Sequence, residues 1–275
     1  MSEVLVSSGW LAAHLSSPDV TVLDCSWHMP AVRRDAKAEF LATRIADAQF
    51  FDIDEIADTS SGLPHMLPSP EKFSARVRKL GVGDGNRVVC YDAAGLFSAA
   101  RVWWMFRVFG HQDVVVLDGG LPKWLAEGRS VEDGPPAKPQ ERHFTARMQT
   151  MMVRSKNEVA RSTAQIADAR SPGRFKGLEL EPRAGVRPGH IPGARNLHYA
   201  TLLNEDGTLK DRAALASIFS AAGIDVLKPV ITSCGSGVTA AILSLGLTIL
   251  GARDHALYDG SWTEWGGDNA LPVET

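Results

Sequence analysis

Short runs of β-branched residues alternate along the chain with stretches of helical period. Val20 to Asp24, Val88 to Tyr91 and Val114 to Asp118 read as strands, and Pro70 to Leu80 and Ala99 to Phe109 as helices. That alternation predicts an α/β chain whose mainly parallel sheets are flanked by helices. The most apolar run, Thr239 to Ala252, is interrupted by Ser244, Gly246 and Thr248. It falls short of the ~20 residues that span a bilayer and reads as a buried helix.

The pattern occurs twice. Arg87 to Asp92 and Pro229 to Cys234 each lead through a Gly-containing turn into an apolar helix. Asp118-Gly119 and Asp259-Gly260 each precede a Trp, Trp124 and Trp265; Leu80-Gly81-Val82 matches Ala222-Gly223-Ile224, and Asp24 matches Asp168. A near-constant offset across such landmarks is the mark of a duplicated unit. Between the copies, Gly128 to Gln140 gathers Pro135, Pro136 and Pro139 among charged residues, as an extended connection would. The expected division is a first domain at 1–134, a linker at 135–150 and a second domain at 151–275.

Composition narrows the function classes. Hydrophobic residues make up 44% and charged residues 22% of 275 residues, ordinary for a folded chain, and the net charge of −3 comes without a basic run. Nucleic acid is therefore not an expected partner, nor is a membrane, and a monomer is expected. Met1 to Val4 lacks the basic start of a signal peptide. Cys25, Cys90 and Cys234 show no CxxC spacing, which favours a reducing compartment, and the cytoplasm is the expected location. The histidines have no metal-ligand spacing, so neither metal nor cofactor is expected.

Cys234 is the residue with chemistry in view. It stands where a strand ends and a helix begins, the place where open α/β sheets carry their reactive groups. Gly235, Ser236, Gly237, Val238 and Thr239 follow, a short loop whose backbone amides can surround a sulfur anion before a helix amino end. Cys25 and Cys90 lie within strand patterns and read as core. In the first copy the position of Cys234 is held by Asp92, 142 residues earlier; a repeat without its nucleophile is expected to be inactive.

Four segments together resemble the two-domain sulfurtransferases of the rhodanese superfamily: Cys234-Gly-Ser-Gly-Val-Thr239, Gly189-His-Ile-Pro-Gly-Ala194, Tyr258-Asp-Gly-Ser-Trp262 and Arg101-Val-Trp-Trp-Met-Phe106. The resemblance implies tandem rhodanese-like domains, with the site in the second. The loop is similar to that of members that use 3-mercaptopyruvate, whereas thiosulfate users carry basic residues after the cysteine. The implied reaction moves sulfur from 3-mercaptopyruvate to Cys234 as a persulfide, releases pyruvate, and passes the sulfur to a thiol such as thioredoxin or to cyanide.

The same resemblance implies Arg174 and Arg183 as the clamp for the substrate carboxylate, and a proton-handling set of Ser236 with His65 and Asp54 from the first domain. His190 reads as a turn-shaping residue, and the tryptophans at 103, 104, 124, 262 and 265 as packing. Ala42 to Ala48 stands where the family often has Gly-His-Ile-Pro-Gly-Ala, so that turn is expected to be rebuilt. Phe97 replaces a Tyr of some relatives. Three other readings fit the residues less well. A thiosulfate sulfurtransferase would want a positive charge beside Cys234, a rhodanese-like phosphatase would want a longer loop ending in Arg, and a non-catalytic binding module would lack the cysteine.

Overall fold

In a computed structural model of the chain, which describes residues 4–275, the β-branched runs become the strands of two parallel sheets. The first compact unit comprises the chain to Ala57 together with Pro68–Gln149 and Asn204–Leu209. Its strands are β1 (Leu5–Val6), β2 (Val20–Asp24), β3 (Arg44–Ile45), β4 (Gln49–Phe50), β5 (Arg87–Tyr91), β6 (Val114–Leu117) and β7 (Val131–Glu132). Five of them form a sheet in the order β1-β6-β5-β2-β4, every pair parallel. The short β3 and β7 pair separately and antiparallel.

The second unit comprises Asp58–Leu67, Thr150–Leu203 and Lys210–Thr275. Its strands are β8 (Val153–Arg154), β9 (Gln165–Asp168), β10 (Arg195–Asn196), β11 (Val230–Ser233) and β12 (His255–Tyr258). Their order, β10-β9-β11-β12-β8, is again all parallel. Read from the other edge, it is the first sheet's order strand for strand. The central strands explain the continuous apolar runs: every residue of β6 and β11 is buried, as expected for parallel strands covered on both faces.

Each strand-turn-helix step supplies core. The helix Ala99–Val108 follows β5 and buries all but Arg107, and the helix Ala240–Leu250 follows β11. The apolar run from Thr239 is thus a buried helix. Trp103, Trp104, Trp124, Trp262 and Trp265 are all buried. Trp124 Nε1 donates to Ser130 O, Trp262 Nε1 to Arg187 O and Trp265 Nε1 to Pro272 O, so burial leaves none of these three indoles unpaired.

Two features differ from the sequence expectation. Residues 135–149 do not form a free linker but pack on the first unit. Phe144 is buried there against Phe73 and Phe106, Arg78 donates through Nε and Nη2 to Phe144 O, and Gln49 Nε2 donates to Ala137 O. One aromatic residue among the polar ones anchors the segment. The turn at 42–48, in turn, keeps its form. Ala48 N donates to Ile45 O as Ala194 N does to Ile191 O, and Asp47 takes the left-handed φ of +60° that Gly193 takes at +72°. Asp is among the few residues that tolerate that region.

Candidate active site

The site is built from the end of β11. Cys234 is the first residue beyond the strand, and the loop runs through Thr239 into the helix Ala240–Leu250, whose first turn carries no acidic side chain. The helix end therefore offers its positive pole to the loop without local competition. Cys234, Ser236 and Val238 are 2%, 7% and 3% exposed, so the thiol lies in a setting from which bulk water is largely excluded. Gly237 has φ +78°, where an L side chain is strained. Gly235 has another reason to be glycine: a Cβ there would lie 2.9 Å from Arg174 Nη2.

Arg174 reaches the loop from the segment after β9 and is held there by one carboxylate. Its Nε and Nη2 donate to Glu181 Oε1 and Oε2 at 3.2 and 2.5 Å. Glu181 also accepts from Arg170 Nη1 at 2.9 Å, and Arg170 forks onto Asp168, with Nη2 to Oδ2 at 2.7 Å. The result is a chain of alternating charge, Asp168, Arg170, Glu181, Arg174. Burial works against the Arg170 charge, but the two carboxylates outweigh it and leave its pKa above the ordinary value. Arg170 also lies over the Trp262 ring at 4.5 Å. Arg183 is half-buried on the same loop.

His65 belongs to the second unit and not, as the sequence reading expected, to the first. The segment 58–67 is closed by a bond between its own ends and joins the rest of the second unit through Leu67. Asp58 N donates to Met66 O at 2.9 Å, and Leu67 N donates to Asp259 Oδ2 at 2.8 Å. His65, with φ +61° and 4% exposed, places Nδ1 3.0 Å from Ser236 Oγ. Asp54 lies in the first unit, where its Oδ2 accepts from Trp27 Nε1 at 3.0 Å. The second unit thus brings together Cys234, Ser236, His65, Arg174 and the loop glycines. His190 is a packing residue: Nδ1 bonds Phe175 O at 2.9 Å and the ring stacks on Phe175. Among the described residues no group of three or more His, Cys, Asp or Glu could hold a metal ion.

The first unit shows what the corresponding loop does with a fixed anion. Asp92 is 1% exposed; its Oδ2 accepts from Phe97 N, Ser98 N and Ala99 N at 2.8, 2.9 and 2.8 Å, and its Oδ1 from Ala94 N at 2.9 Å. Four backbone amides converge on one carboxylate, which fills the place a sulfur anion would take.

Glu181, Arg170, Asp168 and Ser261, whose hydroxyl accepts from Cys234 N, were not singled out by the sequence reading. A signal was available in the differences between the repeats: Arg170 aligns with Ser26, and Ser261 with Gly120.

Duplicated parallel sheets, each with a short loop between its central strand and a buried helix, define the class. The rhodanese-like domain family matches residues 7–127 and 153–268, and the chain belongs to that family. Within it, the chain is similar to 3-mercaptopyruvate sulfurtransferase of Homo sapiens, at 40% identity over 96% of this chain and 92% of that one. It is 43% identical to thiosulfate/3-mercaptopyruvate sulfurtransferase 1, mitochondrial, of Arabidopsis thaliana, over 100% of this chain and 79% of the relative. The crystal structure of SseA from Escherichia coli, a 3-mercaptopyruvate sulfotransferase, superposes with a TM-score of 0.87 at 39% identity, over 95% of this chain and 99% of that one. Among the described residues no helix is long and apolar enough to cross a membrane.

Proposed function

We propose that this enzyme is a sulfurtransferase that takes sulfur from 3-mercaptopyruvate onto Cys234. The Cys234 thiolate attacks the donor sulfur and the carbon–sulfur bond breaks. Its electron pair goes to the carbon beside the ketone, giving the enolate of pyruvate. Protonation of that carbon releases pyruvate and leaves a Cys234 persulfide. An acceptor thiolate then attacks the outer sulfur, and Cys234 departs as thiolate. Arg174, with Arg183, binds the donor carboxylate, and the loop amides stabilise sulfur anions in both half-reactions. Ser236 and His65, 3.0 Å apart, carry the donor's thiol proton toward the enolate. A part for Asp54 in that transfer rests on the family resemblance alone.

The observation that carries the reading is the composition of the Cys234 loop. Gly235, Ser236, Gly237, Val238 and Thr239 bring no basic side chain, and the guanidinium that approaches, Arg174, is already paired with Glu181. A loop with that balance suits a monoanionic keto acid better than dianionic thiosulfate. Thiosulfate is the second reading, favoured by the double name of the Arabidopsis relative. Initial rates of pyruvate release from 3-mercaptopyruvate and of sulfite release from thiosulfate separate the two. The proposal expects the first to exceed the second by more than about tenfold at equal donor concentration; a faster thiosulfate reaction would reverse the assignment. A thiol acceptor such as thioredoxin, a monomeric state and the cytoplasm complete the proposal. The free thiols of Cys25, Cys90 and Cys234 support a reducing compartment.

A further inference from the structure

An Asp-Gly turn follows both β6 and β12, and the residue after its glycine differs between the units in an informative way. In Asp118-Gly119-Gly120-Leu121 both glycines are left-handed, at φ +85° and +54°; in Asp259-Gly260-Ser261-Trp262 Gly260 is right-handed at φ −66° and only Ser261 takes a positive φ, +49°. Glycine is required in the first unit, because a Cβ on Gly120 would lie 2.5 Å from Asp92 O and 2.7 Å from Gly95 O. The second unit's loop is shorter by one residue, 234–239 against 92–98, and there a serine stands in the strained position. It is one of four described non-glycine residues with positive φ, and it is 0% exposed.

The serine hydroxyl has work that glycine cannot do. Ser261 Oγ accepts from Cys234 N at 3.2 Å and donates to Tyr258 O at 2.8 Å. The next two residues hold the other side of the same peptide region. Trp262 N donates to Cys234 O at 2.9 Å, and Thr263 donates to Gly235 O through N at 2.9 Å and Oγ1 at 2.6 Å. In the first unit Leu121 N donates to Asp92 O at 3.0 Å, the counterpart of the Trp262 bond. The second unit adds to this shared bond a hold on the amide of Cys234 itself, made by a residue in a backbone conformation that disfavours it.

We propose that Ser261 is a positioning residue for Cys234: it fixes the backbone of the nucleophile so that Sγ stays aimed at the amides of the loop. The inference rests on Cys234 being the nucleophile and deepens that reading. Strain kept at a buried position, where the repeat uses glycine, is explained by the bond that the side chain makes.

The test compares Ser261→Gly, which removes both hydroxyl and strain, with Ser261→Ala, which removes the hydroxyl and keeps the strain, in the full chain. Two readouts are used: alkylation of Cys234 by iodoacetamide as a function of pH, located by peptide mass, and steady-state turnover of 3-mercaptopyruvate. In both variants alkylation at neutral pH and kcat are expected to fall about tenfold, the effect of losing the hydrogen bond on Cys234 N. The alkylation midpoint should move to higher pH, with KM within about twofold. Ser261→Gly is expected to melt above Ser261→Ala, so that the two variants share the lost reactivity without sharing the lost stability. Wild-type alkylation in Ser261→Gly would overturn the proposal, as would losses in the two variants that follow their melting temperatures. Alkylation needs no donor, so slowed alkylation supports Ser261 even where 3-mercaptopyruvate fails as substrate.

Discussion

Asp92→Asn tests the idea that the loop after each central strand is an anion holder. Asp92 Oδ2 takes three backbone donors and Oδ1 a fourth. Asn can keep a carbonyl oxygen on the three-donor side, but without charge, and each bond then falls from roughly 1.5–3 kcal/mol to about 1. Its amide nitrogen must face Ala94 N, donor against donor, which forfeits about another 1 kcal/mol. With allowance for relaxation, the first unit should lose about 3 kcal/mol. Urea unfolding followed by Trp fluorescence reads this well, because Trp10, Trp27, Trp103, Trp104 and Trp124 lie in the first unit. With a slope of about 2 kcal/mol/M, the first-unit midpoint should fall by about 1.5 M. A midpoint within about 0.3 M of wild type would refute the account of Asp92 as a charge held by amides.

Three further outcomes are expected. The two loop glycines should separate: Gly235→Ala pushes on the flexible end of Arg174 and raises KM for 3-mercaptopyruvate with little change in melting temperature, while Gly237→Ala, at φ +78°, lowers stability by about 1 kcal/mol or more. Arg174→Lys cannot reproduce the fork onto Glu181 and should raise KM about tenfold in steady-state assays, with Cys234 alkylation unchanged. Burial, with a small addition from the Asp92 charge, pushes Asp24 up to about 6 from its ordinary 3.8. The folded state therefore favours the protonated acid: the contribution is complete below about pH 4 and is lost as pH rises through about 6, a change of roughly 3 kcal/mol. Asp24→Asn should remove that slope and be more stable than wild type at pH 8 in urea unfolding.

The sequence was most informative where local pattern and tertiary environment agree. The central strands, the helices after them and the position of Cys234 follow from apolar runs bounded by glycine, because central parallel strands are buried on both faces. The partition of the chain was less legible. No local pattern shows that residues 58–67 pack with the second unit and 204–209 with the first, since the bonds that decide it, such as Leu67 N to Asp259 Oδ2 and Leu209 N to Asp118 Oδ1, join residues far apart in the chain. The charge chain to Arg174 was hidden for the same reason, although its trace lay in the repeat. Asp168 has Arg170 where Asp24 has Ser26, and so one aspartate is paired while the other is lifted toward neutrality.

The central claim is that Cys234 carries the transferred sulfur. The most direct measurement is the mass of the protein and of its Cys234 peptide after brief exposure to 3-mercaptopyruvate without acceptor, with pyruvate measured in the same sample. The account predicts one added sulfur per chain on Cys234, matched by one pyruvate and removed by a thiol. Pyruvate release without added sulfur, or sulfur found on Cys25 or Cys90 instead, would contradict it.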